Sequence, residues 1–274
     1  MTARLAPLLV FLLTAPVSAQ VLGPNTPGHA TVKIGAERVT LAPGESTTVA
    51  VTFVIDPDWH IYWLNSGQTG EPTALSFKAP AGLTVGVAAW PGPTRHVQKG
   101  INSVDYVYEG EATILVPVTV AKTVTPGTTL KLSLATTWFA CADICVDGAA
   151  KLDLTLTVAA KAPQATPVDA TTKAWFAAAK KRLPQKLPAD VKVRFEGTTL
   201  AIEAPKATRL VYFPFSPSTA DPEKIFKQGV ATGSALRVDY PAQVKKEAQV
   251  KGLLALTRGK TTTYHWLTVK PPKG

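Results

Sequence analysis

Apolar and polar residues alternate with a period of two along several short stretches of the chain. Ser46–Val54 reads STTVAVTFV, Ala112–Val120 reads ATILVPVTV, and Ala149–Val158 reads AAKLDLTLTV. Alternation of this kind in Val- and Thr-rich segments predicts strands with one face buried. Pro43-Gly44 and Pro126-Gly127 punctuate the runs as turns, since proline presets φ and glycine tolerates conformations that other residues resist. Strands at this regular spacing predict antiparallel sandwiches. One segment changes period: Lys173–Leu183 (KAWFAAAKKRL) places Trp175, Phe176 and Ala179 on one helical face, with a basic end suited to a helix C-terminus. The expected fold class is all-β, interrupted by a single helix.

The N-terminus bears on the compartment. Arg4 precedes the apolar run Leu5–Leu13, then Pro16 and the small-residue sequence Val17-Ser18-Ala19. This reads as a cleaved secretory signal over residues 1–19, too short for a membrane span. No later stretch approaches the roughly 18 to 20 apolar residues of a transmembrane helix, so the mature chain is expected to be soluble and exported. The remaining 255 of 274 residues suffice for two domains, each with its own core. Ala159–Pro167 (AAKAPQATP) has linker composition, which sets the expected domains at 20–160 and 161–274, the second smaller, mainly β and opened by the helix. Charge divides at the same place. Residues 1–160 hold 9 Lys+Arg and 11 Asp+Glu, residues 161–274 hold 20 and 8, for net charges of −2 and +12. A basic second half suits an anionic membrane surface or an acidic partner, with a merely solvated lysine-rich surface as the alternative. Nucleic acid is not an expected partner, because export and the lack of any reader motif argue against it.

The two cysteines, Cys141 and Cys145, stand in WFACADIC at residues 138–145. A stabilising disulfide is the commonest fate of such a pair in an exported protein. Yet a bridge closing so short a loop removes only about 2 kcal/mol of chain entropy, where a hundred-residue loop would give nearly 5. Strain in a short loop also eases reduction, which suits a redox-cycling pair. A copper(I) site on the two thiolates is a third reading, although His29, His60, His96 and His265 show no paired ligand spacing and Met1 leaves with the signal. No metal or other cofactor is expected, and no nucleophile-elbow motif supports hydrolase chemistry. Trp59, Trp63, Trp90 and Trp138 are read chiefly as core or rim aromatics, and His60 as a structural histidine with its hydrogen bonds satisfied.

Collinear motifs surround the pair: Asp58–Gly67 (DWHIYWLNSG), Gly70–Thr73 (GEPT), Trp90–Pro93 (WPGP), Tyr106–Gly110 (YVYEG) and Trp138–Cys145. Together they resemble the N-terminal periplasmic domain of DsbD-type thiol:disulfide interchange proteins, nearest the ScsB-like branch, over most of residues 30–158. Tyr212-Phe213-Pro214 is similar to the second extracytoplasmic subdomain of that branch. The resemblance implies an immunoglobulin-like β-sandwich and a Cys141–Cys145 pair that relays two electrons by thiol-disulfide exchange. It further implies a membrane-embedded thiol reductase as donor, here separately encoded, periplasmic thioredoxin-fold proteins as acceptors, and a link to cytochrome c-type biogenesis. A non-catalytic binding module with a structural disulfide is the alternative.

Tyr62, Tyr106, Tyr108 and Trp138 are candidates to flank the sulfurs. The segment that often presents an aromatic cap in the family reads Arg95-His96-Val97-Gln98 here, making His96 a candidate cap, and Val146-Asp147-Gly148 replaces the usual Pro-Glu type sequence after the second cysteine. Asp143, between the cysteines, is expected to raise a thiol pKa above its ordinary value near 8.5 and keep the pair slow until a partner docks. Of the two sulfurs, Cys145 is the expected attacker.

Overall fold

A computed structural model of the chain describes residues 26–98, 100–161, 170–215, 221–222 and 224–273. The expected signal at 1–19 lies outside the described residues, as does most of the expected linker. The first part holds β1 (Ala30–Ala36), β2 (Thr40–Leu41), β3 (Ser46–Ile55), β4 (His60–Gly67), β5 (Ala74–Lys78), β6 (Leu83–Val85), β7 (Thr94–Gln98), β8 (Ser103–Glu109), β9 (Glu111–Val120), β10 (Thr129–Cys141) and β11 (Cys145–Val158). They form two sheets, β1-β3-β9-β6 and β2-β11-β10-β4-β8-β7, with β5 also pairing β10. All the pairings are antiparallel save that of β2 with β11. Val49, Val51 and Phe53 of β3 and Ile114, Val116 and Val118 of β9 meet Leu132, Leu134 and Trp138 of β10 in the shared core. This is the immunoglobulin-like sandwich that the alternation and the motifs implied.

The second part comprises α1 (Ala170–Arg182), β12 (Lys192–Glu196), β13 (Thr199–Glu203), β14 (Arg209–Pro214), α2 (Ile225–Gln228), β15 (Val230–Thr232), β16 (Ala235–Asp239), β17 (Val250–Arg258) and β18 (Thr261–Val269), with a 3-10 turn at Ala242–Lys246. Its sheets run β12-β13-β16 and β15-β14-β17-β18. Helix α1 begins three residues before the predicted start, and its buried residues are Thr172, Trp175, Phe176 and Ala179. Phe176 and Ala179 pack on Ala50 of β3 and Leu115 of β9. These lie on the outward parity of their strands, so the helix covers the sheet face that would otherwise expose them.

The two parts meet through aromatic and polar contacts. The β4–β8 ladder breaks after Tyr62 and resumes at Gly67. Within that gap Trp63 packs against Phe213, Phe215 and Trp266 with ring centroids 6.2, 6.1 and 6.2 Å away, and Asn65 Nδ2 donates to Pro214 O at 2.8 Å. Arg182 at the end of α1 donates to Gly92 O at 2.5 Å. Gly92 has to be glycine, because an added Cβ would lie 1.9 Å from the Tyr264 ring.

Candidate functional site: a disulfide at a hairpin tip

Strands β10 and β11 pair in unbroken register from Thr129↔Thr157 to Cys141↔Cys145. The cysteines are therefore the last pair before the turn, facing each other with Cα atoms 4.1 Å apart and joined as a disulfide. Strand β11 starts four residues earlier than the alternation suggested, because Cys145–Gly148 show no sustained period-two alternation and are held by the partner strand. Gly148 sits opposite Trp138. An added Cβ there would lie 2.1 Å from the indole, and Trp138 Nε1 donates to Gly28 O at 2.8 Å. This end of the hairpin is thus anchored by Trp138.

The two sulfurs differ in access. Cys141 is 3 % exposed, whereas Cys145 and the whole turn Ala142-Asp143-Ile144 are exposed, Ile144 at 64 %. Tyr62 donates its hydroxyl to Cys141 Sγ at 3.2 Å. Burial raises the pKa of Tyr62 above its ordinary 10, partly offset by a Thr69 hydrogen bond, so the phenol stays a protonated donor. The loop after β4 presses on the Tyr62 ring at Gly70 (φ 65°), where a Cβ would come within 2.1 Å. Asp105, fully buried, fixes that loop by accepting from Thr69 N and Oγ1 at 2.9 and 2.7 Å, and from Gln98 Nε2 at 2.5 Å.

Register brings further groups to the same sheet face. Cys141 pairs with His60 across β10 and β4, and His60 with Glu109 across β4 and β8, giving one row Cys145-Cys141-His60-Glu109. The ring of His60 meets Tyr62 edge-on at 5.3 Å and His96 at 4.6 Å, and His96 Nδ1 lies 3.8 Å from Glu109 Oε1. The expectation that His60 is a satisfied structural histidine fails: it is 5 % exposed and its buried Nε2 has no hydrogen-bond partner. Burial first, then the neighbouring His96, hold its pKa at about 4, with Asp105 pulling the other way.

The sequence-derived candidates separate accordingly. Tyr62 touches the buried sulfur, and Asp143 stands exposed in the turn between the cysteines. His96 lies on an edge strand paired with β8, not on a capping loop, and reaches the row through His60 and Glu109. Tyr106 and Tyr108 have the opposite parity on β8 and face away from the sulfurs. Tyr106 packs on Phe213 at 5.2 Å, and Tyr108 donates to Pro91 O at 2.6 Å. Trp138 likewise faces the core, edge-on to Phe53 at 5.5 Å. His60 and Glu109 went unselected, because the strand pairing that sets them beside Cys141 leaves no local mark. No group of three or more His, Cys, Asp or Glu side chains able to hold a metal occurs among the described residues, and no described helix is long and apolar enough to cross a membrane.

Comparison with known proteins bears on the fold. The N-terminal periplasmic domain of ScsB from Proteus mirabilis matches with a TM-score of 0.57 at 14% identity, covering 90% of this chain and 94% of that one. The likeness is one of fold and extends over both parts of the chain. The reduced DsbD N-terminal domain of Neisseria meningitidis matches at 20% identity and a TM-score of 0.31, over 48% of this chain and 90% of that chain. A complex of the DsbD and PilB N-terminal domains from the same organism matches at 21% identity and a TM-score of 0.26, over 45% of this chain and 80% of that one. No curated protein matches the chain. The family model described as thiol:disulfide interchange protein DsbD, N-terminal, matches residues 32–157, which take in both cysteines and the sulfur-bearing sheet up to the last residue but one of β11. Over those residues the chain carries a DsbD-type N-terminal domain.

Proposed function

We propose that this protein is a soluble periplasmic thiol-disulfide exchange protein that relays two electrons through Cys141 and Cys145. The observation that carries the reading is the unequal access of the sulfurs: Cys145 is exposed at a hairpin tip and Cys141 is buried under the Tyr62 hydroxyl. An incoming thiolate meets Cys145, and Cys141 leaves as the thiolate; in the reverse sense Cys145 attacks a partner disulfide and Cys141 resolves the mixed disulfide. The donor is a membrane thiol reductase and the acceptors are exported thioredoxin-fold proteins, as the family resemblance implies. Residues 20–160 carry the exchange centre. Residues 161–274, with a net charge of +12, form the docking half, suited to an anionic membrane surface or an acidic partner.

The test is the reduction potential of the pair, measured by equilibrating the protein in glutathione buffers and counting free thiols by mass. A value in the range of exchange catalysts, roughly −120 to −270 mV, supports the relay. One below about −300 mV marks a structural bridge and a non-catalytic module. Trapping gives a second readout: Cys141→Ser should accumulate a mixed disulfide on Cys145, and Cys145→Ser should not.

A further inference from the structure

Buried polar atoms without a partner are uncommon and costly, so each one invites a physical account. His60 Nε2 is such an atom, and its position singles it out. His60 is the cross-strand partner of Cys141, on the same sheet face, and directly opposed residues bring their Cβ atoms to roughly 5 Å. Tyr62, two residues along the same strand and edge-on to the imidazole, already donates to Cys141 Sγ at 3.2 Å. In the disulfide state that sulfur is neutral and a poor acceptor. A thiolate there is a strong one, and hydrogen bonds to charged groups are about twice as strong as neutral ones.

We propose that His60 is a thiolate-stabilising residue of the exchange centre, whose Nε2–H joins the Tyr62 hydroxyl in receiving the charge that collects on Cys141 Sγ when the disulfide opens. The proposal rests on the exchange reading and deepens it. The step balances as follows. A thiolate of the reduced partner attacks Cys145 Sγ and forms the intermolecular S–S bond. The Cys141–Cys145 bond breaks, and its electron pair goes to Cys141 Sγ. A second partner thiol displaces Cys145, leaving the partner oxidised and the pair reduced by two electrons. When a protein disulfide is the acceptor, the same steps run backwards and Cys141 is the resolving nucleophile. Donors placed in advance where charge will develop lower the barrier without reorganisation, and a better-stabilised leaving thiolate departs faster.

The surroundings keep the imidazole in the required form. The groups that face it are Cys141 on β10, Tyr62 on β4, Glu109 on β8 and His96 on β7, with Asp105 farther along β8. Burial and His96 hold its pKa at about 4. At neutral pH the ring is therefore uncharged and carries one N–H, which the proposal places on Nε2.

The decisive experiment isolates Cys141 in a Cys145→Ser background and follows its thiolate absorbance against pH, with His60 intact and as His60→Phe, His60→Met and His60→Gln. Loss of the donor in the Phe or Met variant should raise the Cys141 pKa by about one unit, roughly tenfold less thiolate at a given pH. Gln, which keeps an amide N–H, should restore most of it. In the intact pair, at pH above the Cys141 pKa, the same loss should make reduction roughly tenfold less favourable, about 30 mV for a two-electron couple. Should His60→Phe fail to fold, the Met and Gln pair carries the comparison. A Cys141 pKa that stays within twofold in thiolate fraction across the Phe, Met and Gln variants overturns the proposal. This measurement does not require the pair to cycle, so a wild-type potential below about −300 mV would remove the relay reading separately.

Discussion

Alanine at Gly70 should act on the disulfide through Tyr62. The substitution carries two separable costs. The first is conformational: Gly70 has φ 65°, and a left-handed residue with a Cβ costs about 1–2 kcal/mol. The second is steric, since the new methyl would lie 2.1, 2.4 and 2.5 Å from Tyr62 ring atoms, nearest to Cζ. Moving Cζ from 2.1 Å out to the 3.4 Å at which ordinary contact begins takes about 1.3 Å. The hydroxyl borne on Cζ sits 3.2 Å from Cys141 Sγ, so a shift of that size breaks the bond. Overpacking of this kind adds about 1–3 kcal/mol, for a total of roughly 2–5 kcal/mol. Gly110 supplies the control: its φ is 66°, and nothing lies within 4 Å of an added Cβ. Gly110→Ala should lose only the conformational part, about 1–2 kcal/mol, and leave the sulfurs untouched. Urea unfolding of both variants gives the stabilities, and glutathione equilibration gives the potentials. Gly70→Ala alone should also make the pair harder to reduce. Equal destabilisation in the two variants, with wild-type potentials in both, would refute the argument that the loop holds Tyr62 on the sulfur.

Three further outcomes follow from the packing. Trp63→Ala, which removes a fully buried indole from between the two parts, should cost about 3–5 kcal/mol and split a single urea transition into two; one unshifted transition would contradict the packing. Gly148→Ala should force Trp138 off Gly28 O and expose the hairpin end, read as faster alkylation of reduced Cys141; unchanged protection would count against the anchor. Stability should also fall as pH drops from about 6.5 to 4, because His60 has a folded pKa of about 4. The unfolded chain takes up that proton first, so the folded state is favoured above this window and loses ground within it. His265, also lowered by burial, adds to the same slope, so His60→Phe should remove only part of it in urea midpoints measured across the window.

Legibility of this fold in its sequence depended on whether a strand has one wet face. Strands β3 and β9 were placed to within one residue, since their runs alternate and turns bracket them. Strand β8 is buried on both faces from Ser103 to Tyr108, so nothing in its sequence tells which parity meets the core. That is why Tyr106 and Tyr108 were grouped with the sulfurs when it is Val107, between them, that shares the site face, packed with Cys141 and Tyr62. The cysteine pair was evident because its chemistry is carried by residue type and close spacing. The companion row was not, because Cys141 meets His60 by a pairing between residues 81 positions apart. Long-range register of that kind is set by the whole sheet. Helix α1 showed its apolar face, but not that this face would close over β3 and β9.

That helix bears on how the protein can be inherited or dismantled. Ala50 and Leu115 find their cover in Phe176 and Ala179, and Trp63 finds its cover in Phe213 and Trp266, all supplied by sequence beyond residue 161. A fragment ending near residue 160 would keep both sulfurs, yet present two greasy faces to water, one on each sheet of the sandwich. The sulfur-bearing part is therefore not freely portable: transplanted alone it would invite self-association, and lineages that keep its surface residues as they are here must keep the second half with it.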